Sequence, residues 1–136
     1  VSATFSLDLQ RTDLLHVEAA VLLGAANLVL SGNDARNTLM GNSGANLIDG
    51  RLGADTMGGG FGNDTYVVDA GLAVDGGDVV VETSVAGGID TVRSRIDSYE
   101  LTAHVENLEL QAGAITGIGN GLANRIIGNA AANTLD

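Results

Sequence analysis

Apolar and polar positions recur along the chain with a period of nine residues, beginning at Gly32. The first four rows are GNDARNTLM, GNSGANLID, GRLGADTMG and GGFGNDTYV, and the spacing returns at Gly119 as GNGLANRII and GNAAANTLD. Each row has glycine in its first column, Asn or Asp in its sixth and an apolar or aromatic residue in its eighth. Side chains alternate along a strand, so the last three columns predict a short strand that buries only its eighth-column residue. The glycine-led columns before it predict a tight turn.

A fixed period of this kind is typical of a solenoid, in which each unit buries its apolar face only against its neighbours. We expect two rows to make one flattened coil, and successive coils to stack as parallel strands about 4.8 Å apart. Turns eighteen residues apart then lie over one another, so the sixth-column residues form a ladder along each edge. The pattern therefore predicts an all-β solenoid of stacked short strands.

A longer repeat of 87 residues overlies the short one, since Asn46 and Asp49 return as Asn133 and Asp136. The chain starts without Met and stops in mid-pattern, so we interpret it as a piece of a longer array. The pattern divides it into a connecting strand segment at the end of a preceding unit (1–31), four nonapeptide rows (32–68), a connecting β segment that continues the solenoid (69–118), and the start of the next nonapeptide array (119–136).

Charge narrows the classes of partner. The chain has 17 acidic and 6 basic residues, for a net charge of −11, and it contains no cysteine. Such a surface repels nucleic acid and anionic lipid and attracts cations, while the missing cysteine excludes disulfides and thiolate metal sites. No apolar run approaches the length of a membrane span, and the first ten residues lack the order of a signal peptide.

The ladder itself calls for a cation. Carboxylates stacked roughly 5 Å apart repel by about 1 to 3 kcal/mol at dielectric constants between those of water and a protein surface. Calcium suits the position best, because it accepts six to eight oxygen ligands in flexible geometry, carbonyl oxygens included. Magnesium prefers a tighter octahedron, and zinc prefers His or Cys ligands.

The row GGFGNDTYV fits the pattern G-G-x-G-x-D-x-U-x, with U apolar, at every defined column. In this it resembles the RTX family, the haemolysin-type calcium-binding nonapeptide repeats of secreted bacterial proteins. The segments YVVD, DVVVE, GGIDTV, HVENLEL and GNGLANRIIGN resemble the connecting segments of large RTX proteins, so the likeness covers most of the chain. It implies a parallel β-roll, a right-handed β-helix solenoid, with calcium in its turns and secretion through a type I channel.

The resemblance also implies a set of calcium ligands. The sixth-column carboxylates are Asp55 and Asp64. The carbonyl donors in columns two and four are those of Arg51 and Gly53, and of Gly60 and Gly62. Carbonyls from columns one and three of the turn two units away come from Gly59 and Phe61, opposite Asn46.

Further carboxylates follow the last row, namely Asp69, Asp75 and Asp78, with Asp90 as a secondary candidate. Gly77 lies eighteen residues beyond Gly59, so we expect Asp78 to close the last site. We expect roughly one to three calcium ions, concentrated around residues 50 to 78.

Four sixth-column residues depart from the family pattern because they are neutral: Asn37, Asn46, Asn124 and Asn133. An amide oxygen can coordinate calcium, although more weakly than a carboxylate. The alternative is that these turns hold no metal and are joined by asparagine hydrogen bonds. The sequence leaves both interpretations open.

The leading functional hypothesis is a non-enzymatic calcium-binding module of a secreted or surface-attached bacterial protein, which folds on calcium binding after type I secretion. The chain has no G-x-S-x-G motif, and its paired acids are explained by the repeat. One alternative is an accessory module of a secreted enzyme, such as a polysaccharide epimerase, lipase or protease. Another is a spacer or lattice unit of an adhesin or surface layer. Partners besides calcium would then be neighbouring repeats or extracellular polysaccharide, with no nucleic acid and no membrane insertion.

Overall fold

The computed structural model describes residues 1–71, 76–83 and 87–136. These residues form strands and turns and include no helix. The strands are β1 Ser2–Ala3, β2 Leu7–Asp8, β3 Ala19–Leu22, β4 Val29–Ser31, β5 Thr38–Met40, β6 Leu47–Asp49, β7 Thr56–Gly58, β8 Thr65–Val68, β9 Val79–Val80, β10 Thr91–Ser94, β11 Ser98–Glu100, β12 Asn107–Leu110, β13 Thr116–Ile118, β14 Arg125–Ile127 and β15 Thr134–Leu135.

The described strands form three parallel sheets. One sheet runs β1-β3-β5-β7-β9, the second runs β2-β4-β6-β8-β10-β12-β14, and the third runs β11-β13-β15. Each turn of the chain adds one strand to the seven-stranded sheet and one to a sheet opposite, which gives a β-solenoid of about seven turns. The predicted all-β, parallel solenoid is confirmed.

The nine-residue pattern places the strands of the repeat array correctly. Strands β5, β6 and β7 occupy columns seven to nine of their rows, and β8 extends one residue further. Strands β5 and β6 pair with the strands eighteen residues later, in the register of Leu39 with Met57 and of Ile48 with Tyr66. All four of these eighth-column side chains are fully buried.

The core is thin, since each of the first four nonapeptide rows contributes one inward-facing strand side chain. In the seven-stranded sheet, successive turns stack Leu30, Ile48, Tyr66, Val92 and Leu108 in one register. All five are fully buried, and each such aliphatic or aromatic side chain contributes about 1.5–3 kcal/mol through burial. Stability is therefore spread along the stack instead of being concentrated at one centre.

Ninth-column residues face outward with one exception. Gly58 is buried, because the side chain of Met40 lies over it, and a Cβ at Gly58 would lie 2.9 Å from Met40 Cε. Glycine at this position lets the methionine of the preceding turn cover the backbone.

Outside the nonapeptide rows, the chain keeps its strand register while the turns change length. The step from β7 to β9 is 23 residues and that from β8 to β10 is 26, measured between the residues that precede these strands. The next step, to β12, is 16 residues. The seven-stranded sheet contains strands from all four segments defined by the sequence pattern, so that subdivision stays a prediction about the repeat unit.

Candidate metal sites

The turns stack on two edges of the solenoid, and the last residue of each turn directly precedes a strand. On the first edge these residues are Asn37, Asp55 and Asp78, which precede β5, β7 and β9. On the second edge they are Asn46, Asp64 and Asp90, which precede β6, β8 and β10. Asn37, Asp55, Asn46 and Asp64 form the two ladders predicted from the sixth column, and Asp78 and Asp90 extend them.

Each carboxylate of a ladder reaches back to the turn before it. On the first edge, Asn37 N donates to Asp55 Oδ1 (2.6 Å) and Asp55 N donates to Asp78 Oδ1 (2.9 Å). On the second edge, Asn46 N donates to Asp64 Oδ1 (2.7 Å) and Asp64 N donates to Asp90 Oδ1 (2.8 Å). One oxygen of each aspartate thus links two successive coils.

The other oxygen of three aspartates is an unsatisfied acceptor. Asp55, Asp64 and Asp90 are each 1% exposed, and the Oδ2 atom of each is buried with no hydrogen-bond partner in the described part of the chain. A buried carboxylate oxygen without a donor is strongly unfavourable unless a cation or a proton neutralises it. The donor set, carboxylate and carbonyl oxygen, is the one that calcium prefers, so these positions fit a calcium ion.

Burial also changes the protonation of these groups. Burial raises the pKa of Asp55 to about 7, backbone hydrogen bonding from Asn37 opposes the shift, and the carboxylate of Asp78 adds to it. Burial raises the pKa of Asp64 to about 6. The hydrogen bond from Asn46 N–H lowers this pKa, and the carboxylate of Glu82 raises it further. Without a cation, Asp55 therefore keeps its proton up to about pH 7 and Asp64 up to about pH 6.

The two remaining ladder carboxylates behave alike. Burial raises the pKa of Asp78 to about 6, although N–H groups of Asp69 and Asp55 lower it. Burial raises the pKa of Asp90 to about 7, and nearby Glu82 adds to the shift. A cation beside either ladder would displace protons at pH 6 to 7.

First-column glycines make room for the ladder. A Cβ at Gly50 would lie 2.5 Å from Asp55 Oδ2, and one at Gly32 would lie 2.6 Å from Asn37 Oδ1. The sixth-column head group folds over the start of its own turn and occupies the volume that a side chain would need. Glycine in the first column is therefore a steric requirement of the ladder.

Carbonyl oxygens point along the stack in the same turns. A Cβ at Gly53 would lie 2.8 Å from Ala35 O, and one at Gly62 would lie 2.5 Å from Gly44 O, each in the turn below. The carbonyls of Gly53 and Gly62 in turn approach Gly71 and Gly88 of the turns above. Each gap between coils is thus lined by main-chain oxygens as well as by carboxylates.

Residues 31–66 match the family model of the RTX calcium-binding nonapeptide repeat in four copies. This segment is an RTX repeat array. No curated protein and no solved structure matches the chain. RTX nonapeptide repeats bind Ca²⁺ and occur in secreted bacterial proteins, and their β-roll is a structural calcium-binding module.

The structure divides the ligands expected from the RTX resemblance between the two edges. The first edge holds Arg51, Gly53, Asp55, Asp69 and Asp78, and the second holds Asn46, Gly59, Gly60, Phe61, Gly62 and Asp64. The side chain of Phe61 is exposed, and the guanidinium of Arg51 lies 2.9 Å from Asp8 Oδ2. Only the main-chain carbonyls of these two residues are available to an ion in the RTX turns. Their role as ligands stays a prediction.

The eighteen-residue count expected for Asp78 is not observed, whereas its role as a calcium ligand stays a prediction. The eighteen-residue count from Gly59 to Gly77 placed Asp78 after the turn of Asp64, but Asp78 lies on the first edge, where its Oδ1 accepts from Asp55 N. The 23-residue step lengthens the turn and moves Asp78 to the opposite edge. Asp90 occupies the position above Asp64 instead. Asp75, another expected ligand, lies outside the described residues.

Three acidic residues of the second edge were missed or underrated by the sequence pattern. Glu106 Oε2 accepts from Asp90 N (2.8 Å) and continues the ladder. Glu82 Oε1 accepts from Gly59 N (3.0 Å) and from the hydroxyl of Tyr66. A local signal exists for Asp90, since Asp-Thr before a buried residue also occurs at Asp55 and Asp64. No comparable signal marks Glu82, which lies outside the columns of the RTX rows.

Across the described residues, no group of three or more His, Cys, Asp or Glu side chains is arranged to hold a metal ion. In the RTX turns expected from the resemblance, main-chain carbonyls supply ligand oxygens beside the carboxylates. Calcium would therefore join neighbouring coils through the backbone as much as through side chains.

The Asn turns, residues 32–37, 41–46, 119–124 and 128–133, differ from the Asp turns, residues 50–55 and 59–64. In an Asn turn, the sixth-column oxygen accepts from the second residue of its own turn: Asn33 N to Asn37 Oδ1 and Asn42 N to Asn46 Oδ1 are both 2.8 Å. In an Asp turn, that oxygen accepts from the turn before. The sixth-column oxygen therefore bonds within its own turn where it belongs to an amide, and to the turn before where it belongs to a carboxylate.

Proposed function

We propose that this chain is a calcium-binding β-roll module of a secreted or cell-surface bacterial protein, and that it folds when it meets calcium after type I secretion. The observation that supports the proposal most is the set of buried Oδ2 atoms of Asp55, Asp64 and Asp90, which have no partner among the described residues. They lie in or directly above RTX turns, where a cation is the expected neutralising group.

The residues themselves suggest how calcium would control folding. Without calcium, stacking the Asp turns buries carboxylates that have lost their water and that repel one another, so the fold is opposed where these turns meet. Bound calcium supplies the charge and the shared oxygen ligands that these gaps lack. Because the ligands come from different coils, the ion binds the folded chain far better than the unfolded one, and binding shifts the folding equilibrium.

The acidic composition suits export as an unfolded chain. At −11, the unfolded segment repels itself, which favours a loose conformation where calcium is scarce. Millimolar calcium outside the cell would then favour the compact form. The described residues include no helix that is long and apolar enough to cross a bilayer.

Circular dichroism and isothermal titration calorimetry test the proposal directly. We expect the β signal of the wild-type chain to increase when calcium is added to protein treated with EDTA, with saturable heat of binding. The double variant Asp55→Asn with Asp64→Asn should lose most of this binding, while magnesium at equal concentration should not replace calcium. A β spectrum that is unchanged by complete calcium removal, together with no heat of calcium binding, would refute the proposal.

A spacer in a long surface array is a second candidate, and one recurrence supports it. Asn33 Nδ2 donates to Val17 O (3.0 Å), and Asn120 Nδ2 donates to Val105 O (2.8 Å), so the same contact returns one long repeat later. Sedimentation with and without calcium tests this role. Calcium-dependent association of the isolated chain supports a lattice unit, whereas a monomer under both conditions opposes it.

A further inference from the structure

We propose that the second-column residue decides whether a turn takes calcium, because an asparagine there places its own amide where a cation would otherwise lie. This inference rests on the proposed function, since it assumes that the Asp turns bind calcium. It assigns Asn33, Asn42, Asn120 and Asn129 as residues that specify metal-free turns.

The amide of each second-column asparagine binds at least two carbonyls of the turn before it. Asn42 Nδ2 donates to Leu23 O (3.2 Å) and to Ala26 O (3.1 Å). Asn129 Nδ2 donates to Gln111 O and to Ala114 O, both at 2.7 Å. The NH₂ group thus joins two successive coils by presenting partial positive charge to main-chain oxygens, which is the task of a cation in this position.

The second array repeats this arrangement independently. Asn120 Nδ2 donates to Thr102 O (2.6 Å) and to Val105 O (2.8 Å). The same contact therefore arises at turns with different neighbours. It follows the asparagine and not the surrounding sequence.

The sixth-column asparagine completes the amide pair. Asn46 Nδ2 donates to Asn42 Oδ1 (3.1 Å), and Asn42 N donates back to Asn46 Oδ1 (2.8 Å). Asn42 Oδ1 also accepts from Gly44 N (2.8 Å). The two amides satisfy each other and the turn without any charge. A carboxylate at position 46 could not donate and would leave the pair incomplete.

The Asp turns lack this device and have a different backbone. Their second column holds Arg51 and Gly60, which carry no amide side chain. Columns two and four have positive φ: 64° at Arg51, 122° at Gly53, 100° at Gly60 and 107° at Gly62. Among the described residues, no position in the four Asn turns has a positive φ. The Asn turns and the Asp turns therefore differ in three respects at once: the second-column side chain, the backbone conformation and the presence of an unsatisfied carboxylate oxygen.

Two substitutions convert one Asn turn into a turn with the full RTX pattern. Asn42→Gly with Asn46→Asp turns GNSGANLID into GGSGADLID, which fits the RTX pattern at every defined column, and Gly44 is already in place. The matched control is Asn46→Asp alone, which supplies the carboxylate but keeps the Asn42 amide in the gap. We expect calorimetry to show one additional calcium ion for the double variant and none for the control.

A second variant tests the amide without any change in charge. Asn42→Ala removes the bonds to Leu23 and Ala26, so its midpoint of thermal unfolding should fall by several degrees, and by the same amount in calcium as in EDTA. Its calcium stoichiometry should equal that of the wild type.

These outcomes separate the inference from the proposed function. If the wild type binds no calcium, the proposed function fails. If the wild type binds calcium but the Asn46→Asp control gains an ion as readily as the double variant, the second-column assignment is overturned. It is also overturned if Asn42→Ala lowers the stoichiometry or loses stability only in the presence of calcium.

Discussion

Stability of the calcium-free chain should fall as pH rises from 5 to 8, opposite to the trend that salt-bridged carboxylates produce. The folded-state pKa values of Asp55 and Asp90 are about 7, and those of Asp64 and Asp78 are about 6, all above the usual value of 3.8. Between pH 4 and 7 the folded state therefore holds more protons than the unfolded state. Stability decreases with pH wherever that is so.

The size of the effect follows from the shift at a single site. For Asp55 the pKa rises by roughly three units, and each unit is worth about 1.4 kcal/mol, so ionising this buried group costs on the order of 4 kcal/mol. Asp55 and Asp78 lie on the same ladder and influence each other, so their contributions do not add simply. Even the single-site value is a large part of the stability of a small domain.

Urea unfolding in EDTA at pH 5, 6, 7 and 8 measures this slope, and the same series in saturating calcium provides the comparison. We expect the EDTA midpoint to fall across the series and the calcium midpoint to hold or rise, because calcium binds only the ionised carboxylate. The variant Asp55→Asn separates local ionisation from general charge repulsion and should have a shallower slope in EDTA. A wild-type midpoint in EDTA that is constant or rises from pH 5 to 8 would contradict the reasoning.

Two further predictions concern packing. Gly50→Ala places a Cβ 2.5 Å from Asp55 Oδ2 and should weaken calcium affinity at least tenfold, measured by calorimetry. The control is Gly121→Ala, because a Cβ there would meet no described atom within 4 Å. This variant should bind calcium as the wild type does. Met57→Ala removes a fully buried side chain between Leu39 and Val80 and should cost about 2–5 kcal/mol of unfolding free energy in calcium and in EDTA alike. A Met57→Ala loss confined to EDTA would show that the core and the ladder are not independent.

The sequence was sufficient to predict the solenoid within the repeat rows, because there the period is constant. A strict step of eighteen residues aligns Leu39 with Met57 and Ile48 with Tyr66 whatever the turn conformation, and both pairs are observed. The same regularity placed Asp55 and Asp64 on the ladders. Local periodicity and strand alternation thus determine this part of the fold.

Between Tyr66 and Gly119 the nine-residue period is interrupted, and the sequence-based register is wrong there. The register of Asp78 depends on how many residues its turn accommodates, and a 23-residue step is not encoded by any column. Glu82 could not be predicted for another reason, since its burial depends on two donors, Gly59 N and the Tyr66 hydroxyl, that only the folded chain brings together. Turn length and long-range hydrogen bonding, not strand propensity, set the limit of the sequence argument.

The order of turns along the solenoid gives the two turn types complementary roles. On each edge an Asn turn precedes an Asp turn, and the main-chain N–H of the asparagine donates to the aspartate that follows: Asn37 to Asp55, and Asn46 to Asp64. An Asn turn satisfies its own polar groups without an ion, so it can present this N–H before calcium arrives. One carboxylate oxygen is then held in place and only the other needs a cation, which reduces the ordering that calcium binding must accomplish. We therefore expect the neutral turns at the start of the array to support calcium binding in the acidic turns that follow.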